Sequence, residues 1–215
     1  MSEDNGQFRT VPAGDDSLRV SSESLNDLRR FGRHLRRNNV FEEVVDGIET
    51  LTIQFDPAQF SIETASSRTA ELADTLDLEA EKGTRTQILE VVFGGETGVD
   101  LHRVAEHAGL SPDELIAQIC DLDLEVDMLG FTPGFAYLKG VPSSLDIPRL
   151  DTPRQKVEAG SLGIAAGRLG TYALEGPGGW PIIGKVQTTL FDKSKNNPFL
   201  LTTGDKVRLT TVSET

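Results

Sequence analysis

Four cations crowd into twenty residues of an otherwise acidic chain. Arg149, Arg154, Lys156 and Arg168 share residues 149–168 with only Asp151 and Glu158, a local charge of +2 in a chain of 215 residues carrying −13 overall. Arg154 and Lys156 are two apart, so on a strand they point to one face. Arg presents a planar fork that fits a carboxylate or phosphate, and Lys presents a point charge. With Arg168 and Ser161, they could line a pocket for a small carboxylate; they could equally pair with acids of the chain. Glu175 precedes Gly176-Pro-Gly-Gly179 and could transfer a proton or orient a substrate, although an exposed loop glutamate is the plainer reading. Phe131 and Phe135 flank Pro133-Gly134 and read as loop or core anchors. Tyr137 and Trp180 each carry a polar tip that could reach a ligand.

Other chemistries lack their residues. The three histidines are His34, His102 and His107, and the last two are five apart, which is not the i, i+4 spacing of a helical metal pair. Ser161 follows Gly160, but AGSLG is not a nucleophile elbow, and no histidine occurs after position 107. No GxxxxGK[ST] or strand–GxGxxG–helix unit is present. The glycines of 176–179 could offer backbone N–H groups to an anion, but they lie among strand patterns. The single Cys120 closes an apolar helix pattern and reads as a core residue.

The elements that position these residues follow from pattern and punctuation. At 37% hydrophobic and 26% charged residues, the chain buries a sizeable core. The acidity argues against nucleic acid and anionic membranes as partners and suits a solvated surface of the kind found in halophilic proteins. No apolar run spans a membrane, and MSEDNGQFRT lacks the features of a secretory signal, so a cytoplasmic location is expected.

Residues 1–10 are expected to be disordered. Leu25, Leu28, Phe31 and Leu35 mark a helix, and Leu51, Ile53 and Phe55 alternate as a strand. Asp56-Pro57 reads as a cap and first-turn proline of a helix running to about Glu81, and Ile88–Phe93 as a strand. Residues 11–94 then form a small α/β domain of β-α-β-α-β type. In 95–215 a helical pair comes first, with Gly109 as a stop and Ser111-Pro112-Asp113-Glu114 as a capping box. Leu122, Leu124, Val126 and Met128 alternate with Asp121, Asp123, Glu125 and Asp127, a half-buried strand with an acidic outer face. Short apolar runs broken by Gly, Pro, Asn and Asp follow, which signals a β-barrel or sandwich. More than half of the 21 glycines, six of the ten prolines and the only tryptophan lie within 128–184.

The runs GFTPGFAYLKGVP and PRLDTPRQKVEAGSLGIAAGRLGTYALEGPGGWPIIGK resemble the B-subunit family of the 5-oxoprolinases, also described as allophanate hydrolase subunit 1-like. The likeness extends to Gly14-Asp15, Phe55-Asp56 and GGETGVDL. It implies an α+β fold: a small N-terminal α/β domain followed by a C-terminal cyclophilin-like β-barrel. It also implies partner subunits A and C, with which the chain cleaves 5-oxo-L-proline to L-glutamate as ATP is hydrolysed. A lactam is unreactive, and phosphorylating its oxygen would make an electrophile that water can attack. With no nucleotide motif in the chain, ATP is expected to bind with the partner subunits, and no metal site is expected.

Arg154 and Lys156, which the resemblance carries over, and Glu175, from its place before Gly176, are the expected catalytic residues. Phe131, Pro133, Gly134, Tyr137, Gly160, Ser161, Gly178, Gly179 and Trp180 are the expected substrate-binding residues. The chain departs from the family where a histidine often precedes the acidic strand (Ile119 or Cys120 here) and where a tyrosine often stands (Asp127 here). Lys185-Val186-Gln187 replaces the usual Arg-Thr-Pro. The same family includes an inhibitor of a sporulation histidine kinase, so a kinase-binding regulator is an alternative. A carboxyltransferase- or allophanate-hydrolase-type subunit acting on a urea-derived amide is another.

Overall fold

The computed structural model describes residues 3–4, 7–77 and 85–213. The chain divides into two compact units, Met1–Gly83 and Thr84–Thr215. Together they make an α+β fold with four α-helices among the described residues.

The first unit runs β1 (Glu3–Asp4), β2 (Arg9–Pro12), β3 (Ser17–Ser21), α1 (Leu25–Asn38), β4 (Glu43–Asp46), β5 (Thr50–Gln54) and α2 (Ile62–Asp74). Its strands form an antiparallel sheet in the order β1-β2-β3-β5-β4. Helix α1 buries Leu28, Phe31 and Leu35, the expected helical face, and Ser24 caps it by accepting from the Asp27 N–H at 3.2 Å.

Three expectations for this unit are corrected. The first ten residues are not simply disordered: β1 and the start of β2 pair there, Thr10 is buried, and Phe8 stacks on Phe31 at 4.4 Å. Strands therefore precede α1, and the β-α-β-α-β order does not hold. Asp56-Pro57 also does not start α2. The Asp56 carboxylate accepts from Ala58 N–H and the Gln59 amide, which closes a single turn. The working cap is Ser61, whose hydroxyl accepts from Thr64 N–H. The helix also ends early, at Asp74 with Thr75 as its C-cap, and does not run on toward Glu81, which itself lies outside the described residues.

The second unit contains β6 (Thr86–Phe93), α3 (Leu101–Ala108), α4 (Pro112–Cys120), β7 (Leu124–Leu129), β8 (Ala136–Lys139), a 3-10 turn (Ser143–Leu145), β9 (Arg154–Val157), β10 (Ser161–Ala165), β11 (Arg168–Thr171), β12 (Gly176–Gly178), β13 (Ile182–Val186) and β14 (Lys206–Thr211). Seven strands close a barrel in the order β10-β11-β8-β7-β14-β6-β13, and β9 pairs with β12 as a separate ribbon. The sequence groups 88–93 with the N-terminal unit, but β6 pairs with β13 and in parallel with β14. A strand belongs with its ladder partners, and these come from the far end of the chain.

The helical pair forms as its punctuation dictates. Gly109 ends α3 at φ +70, in the left-handed region that glycine enters without strain. Ser111 and Glu114 form a reciprocal capping box on α4. Strand β7 departs from its alternation. A register shift between Val126 and Met128 turns Asp127 inward, where it is 6% exposed, while Glu125 keeps to the outside with Lys139 and Lys206. The acidic face is therefore broken at Asp127.

No helix among the described residues is long and apolar enough to cross a membrane. Ser111→Ala removes one half of the capping box, so it should cost about 1 kcal/mol. A modest fall in the midpoint of thermal unfolding, followed by circular dichroism, checks this; an unchanged midpoint would show that α4 is held by packing alone.

Candidate functional site

Glycine floors the most distinctive part of the barrel unit. Gly163 of β10 and Gly170 of β11 are directly opposed across the ladder. A Cβ on Gly170 would stand 2.7 Å from the Trp180 ring and 2.8 Å from the Phe135 ring, and one on Gly163 would stand 3.1 Å from the Trp180 Cβ. Two aromatic rings thus lie on bare backbone that no side-chain-bearing residue could offer.

Around Phe135 the rings close up. Its centroid lies 4.7 Å from Tyr137, 5.0 Å from Tyr172, 5.5 Å from Phe131 and 6.0 Å from Trp180, and Tyr137 meets Trp180 at 5.8 Å. Most of these contacts are edge-to-face, the arrangement favoured by ring quadrupoles. Phe135, Tyr172 and Trp180 are buried, Tyr137 is half-buried, and Phe131 is 60% exposed. The sharp turn before Phe135 uses Gly134 at φ +79, packed so tightly that a Cβ would meet both Ala173 and Phe191 at 2.9 Å. Phe131 itself holds a φ of 69, uncommon for a residue with a side chain. A Cβ on Gly178 would overlap the Tyr172 hydroxyl, which also accepts a hydrogen bond from the Trp180 backbone.

Three arginines border this cluster. Burial pushes the Tyr137 hydroxyl above its usual range, against the opposing pull of Arg149 and Arg168. Burial raises Tyr172 likewise, opposed by the Trp180 hydrogen bond and by Arg149 and Arg154. Arg149 therefore acts on both tyrosines. Its segment is tied to the aromatic wall where Leu150 N–H donates to the Gly179 carbonyl at 2.8 Å.

The cations differ in what they hold. Arg154 forms a two-point contact with Asp100, 2.8 Å to each carboxylate oxygen. Arg168 holds Asp127 at 3.0 Å. Lys156 and Glu175 pair with each other at 2.8 Å, both largely exposed, which raises the Lys156 pKa. Lys185 pairs with Glu158 at 2.7 Å. Among the described residues Arg149 is the cation of this cluster that makes no ion pair, and it is exposed.

Of the residues singled out from sequence, Phe131, Tyr137 and Trp180 come together with Gly178 and Gly179 at the aromatic cluster, and Gly134 shapes the turn that feeds it. Pro133 is exposed on that turn. Gly160-Ser161 serves the backbone: Gly160 N–H donates to Tyr172 and its carbonyl accepts from Val186, while Ser161 is buried. Sequence reasoning passed over Tyr172, Asp100 and the distinct position of Arg149. One signal was available, since Arg149 and Arg154 each follow a proline, Pro148 and Pro153, in a segment built to hold side chains in place. No group of three or more His, Cys, Asp or Glu side chains among the described residues could hold a metal ion.

Comparison with known proteins follows the same lines. The family model for the carboxyltransferase domain, subdomain C and D, matches residues 8–201. The chain belongs to this family. It is 36% identical over 189 residues to the 5-oxoprolinase B subunit of Haemophilus influenzae, covering 88% of each chain. It is 37% identical over 175 residues to that of Bacillus subtilis, covering 81% of this chain and 69% of the relative. Among solved structures, a conserved uncharacterized protein from Pyrococcus horikoshii is 36% identical with a TM-score of 0.59, over 95% of this chain and 98% of that one. TTHA0988 superposes with a TM-score of 0.80 at 29% identity, and the chain spans 41% of its length. The urea amidolyase of K. lactis shares the fold, with a TM-score of 0.67 at 16% identity over 96% of this chain and 15% of that one.

Two measurements probe the aromatic cluster. Trp180 is the only tryptophan, so its fluorescence reads the glycine floor directly. Gly170→Ala should shift that emission and cost about 1–3 kcal/mol through overpacking; unchanged emission would mean the rings do not rest on Gly170. The chain has two tyrosines, both in the cluster. Both hydroxyls are raised, so phenolate absorbance should appear only above the ordinary tyrosine value of about 10. The sign of the linkage follows: their stabilisation is complete below the unfolded tyrosine pKa and is lost as pH climbs through the folded values. Titration at the ordinary value would overturn this.

Proposed function

We propose that the chain is the B subunit of an ATP-dependent 5-oxoprolinase, acting in the cytoplasm with subunits A and C to convert 5-oxo-L-proline to L-glutamate. The observation that carries this reading is the 36% identity to the H. influenzae 5-oxoprolinase B subunit across 88% of both chains. The net change adds one water across the ring C–N bond, while a second water is consumed as ATP becomes ADP and phosphate.

The candidate site supports the reading through its chemistry. The substrate is a small ring carrying one carboxylate and one amide. Arg149 offers a guanidinium fork for the carboxylate, with no acid of its own to satisfy among the described residues. The Tyr137 hydroxyl, protonated near neutral pH as tyrosines are and pushed further from ionisation by burial, donates a hydrogen bond to the lactam oxygen. The ring packs against the exposed Phe131 and the edge of Tyr137. Arg154, engaged by Asp100, acts as a positioning residue. The departing ring nitrogen must gain a proton, and the Lys156–Glu175 pair is the candidate relay.

ATP supplies the activation that an unreactive lactam needs. The glycine-rich 176–179 segment is a poor nucleotide cradle, because it pairs with β9 and admits the Tyr172 hydroxyl. The nucleotide is therefore assigned to the partner subunits.

The test is glutamate release from 5-oxoproline and ATP by this chain co-purified with subunits A and C. No release by the complete complex would sink the reading. Within an active complex, Arg149→Ala should raise KM for 5-oxoproline about tenfold or more. Trp180 emission should stay unchanged, showing the fold intact. An unaltered KM would remove Arg149 from the site while leaving the activity in place.

A further inference from the structure

A cavity of about 270 Å³ opens between α3 and the segment that follows the 3-10 turn, lined by Arg103, Glu106, His107, Ile147 and Pro148. None of these residues takes part in the site described above. Residues 103, 106 and 107 stand at i, i+3 and i+4, so they share one face of α3. The other face is anchored by buried Leu101, Val104 and Ala105. The opposite wall is fixed too: Ile147 is 3% exposed, and its carbonyl accepts from Ala166 N–H at 3.0 Å. Arg103, Glu106 and His107 are exposed and make no ion pair or side-chain hydrogen bond among the described residues.

We propose that this cavity is a second ligand site, for a small α-amino acid. A cavity of this volume has room for a metabolite of few atoms. Arg103 presents a planar donor fork that fits a carboxylate. Glu106, one turn away, is an acceptor when ionised and can take an ammonium group. An α-amino acid carries both charges on one carbon, so it satisfies both side chains at once. A dicarboxylate leaves Glu106 facing a like charge, and a simple amine leaves Arg103 unsatisfied. The His107 ring can add a further hydrogen bond to the carboxylate, while Ile147 and Pro148 form a rigid apolar wall for the ligand's side chain. Pro148 directly precedes Arg149, so an occupant bears on the segment that carries the cation of the proposed catalytic site. The inference does not depend on the 5-oxoprolinase reading, because it needs neither partner subunits nor turnover.

The experiment is an NMR titration of the full-length ¹⁵N-labelled chain with L-glutamate, L-valine and glutarate, the last lacking the ammonium group. Both amino acids should shift the amides of residues 103–109 and 147 saturably, and glutarate should not. Arg103→Ala and Glu106→Gln should each weaken amino-acid binding about tenfold or more, with the rest of the spectrum preserved. The proposal is overturned if neither amino acid gives saturable shifts there, or if glutarate binds equally well. It is also overturned if shifts are confined to the Tyr137–Tyr172 region, or if both variants bind as the parent does.

Discussion

Asp100 fixes the barrel unit's working face. Its side chain is 8% exposed, and burying a carboxylate costs several kcal/mol unless it is paired and hydrogen-bonded. Here it is both: Ile182 N–H donates to one oxygen at 2.6 Å, and Arg154 contacts both. The backbone answers in the other direction, since Asp100 N–H donates to the Ile182 carbonyl at 2.9 Å. The loop before α3 therefore docks on the start of β13 as an added rung. Gly98 makes the approach possible, because a Cβ there would overlap the Ile183 carbonyl. One acid thus sets the starts of α3, β9 and β13, and with β13 the position of Trp180 two residues upstream.

The aromatic cluster rests on that placement. The Gly163–Gly170 pair would be a weak point in a barrel, since glycine loses the most conformational entropy on folding and offers no side chain to pack. The Trp180 and Phe135 rings cover it and restore the lost contact. Each aromatic pair adds about 0.5–1.5 kcal/mol beyond its buried area. The arrangement also has a chemical consequence. It gathers both tyrosine hydroxyls at one place and holds them in their neutral, donating form beside Arg149.

Much of this was legible in residue types and spacing. The α1 face, the Gly109 stop, the Ser111 capping box and the β-rich second half are local signals, and local signals survive folding. The family likeness was legible from the run around Pro133-Gly134 to Gly178-Gly179-Trp180. Three kinds of feature were not. The strands before α1 depend on pairing with residues 50–54 far along the chain, and residues 9–20 show no strong period of their own. The place of β6 is set by β13 and β14, more than ninety residues later. The inward turn of Asp127 depends on a register shift, and strict alternation cannot anticipate a bulge. For the site, sequence could list the cations but not their partners: Asp100 lies 54 residues from Arg154, and Asp127 lies 41 from Arg168.

That last point governs how a basic cluster should be read in an acidic protein. With thirteen more acids than bases, most cations find a carboxylate within the chain, and a cation so engaged is a poor ligand anchor. Arg154, Lys156, Arg168 and Lys185 all follow this rule, and Arg149 stands apart from it. The departure at position 127 belongs to the same logic. The family resemblance leads one to expect a tyrosine there, which could not neutralise a neighbour. The aspartate takes Arg168 as its partner and leaves Arg149 as the cation beside the two tyrosines that has no acid to hold it. In this chain the position therefore carries a charge, and Arg168 holds it. Within the proposed function, this is the reason to give the substrate carboxylate to Arg149 and not to the more conspicuous Arg154–Lys156 pair.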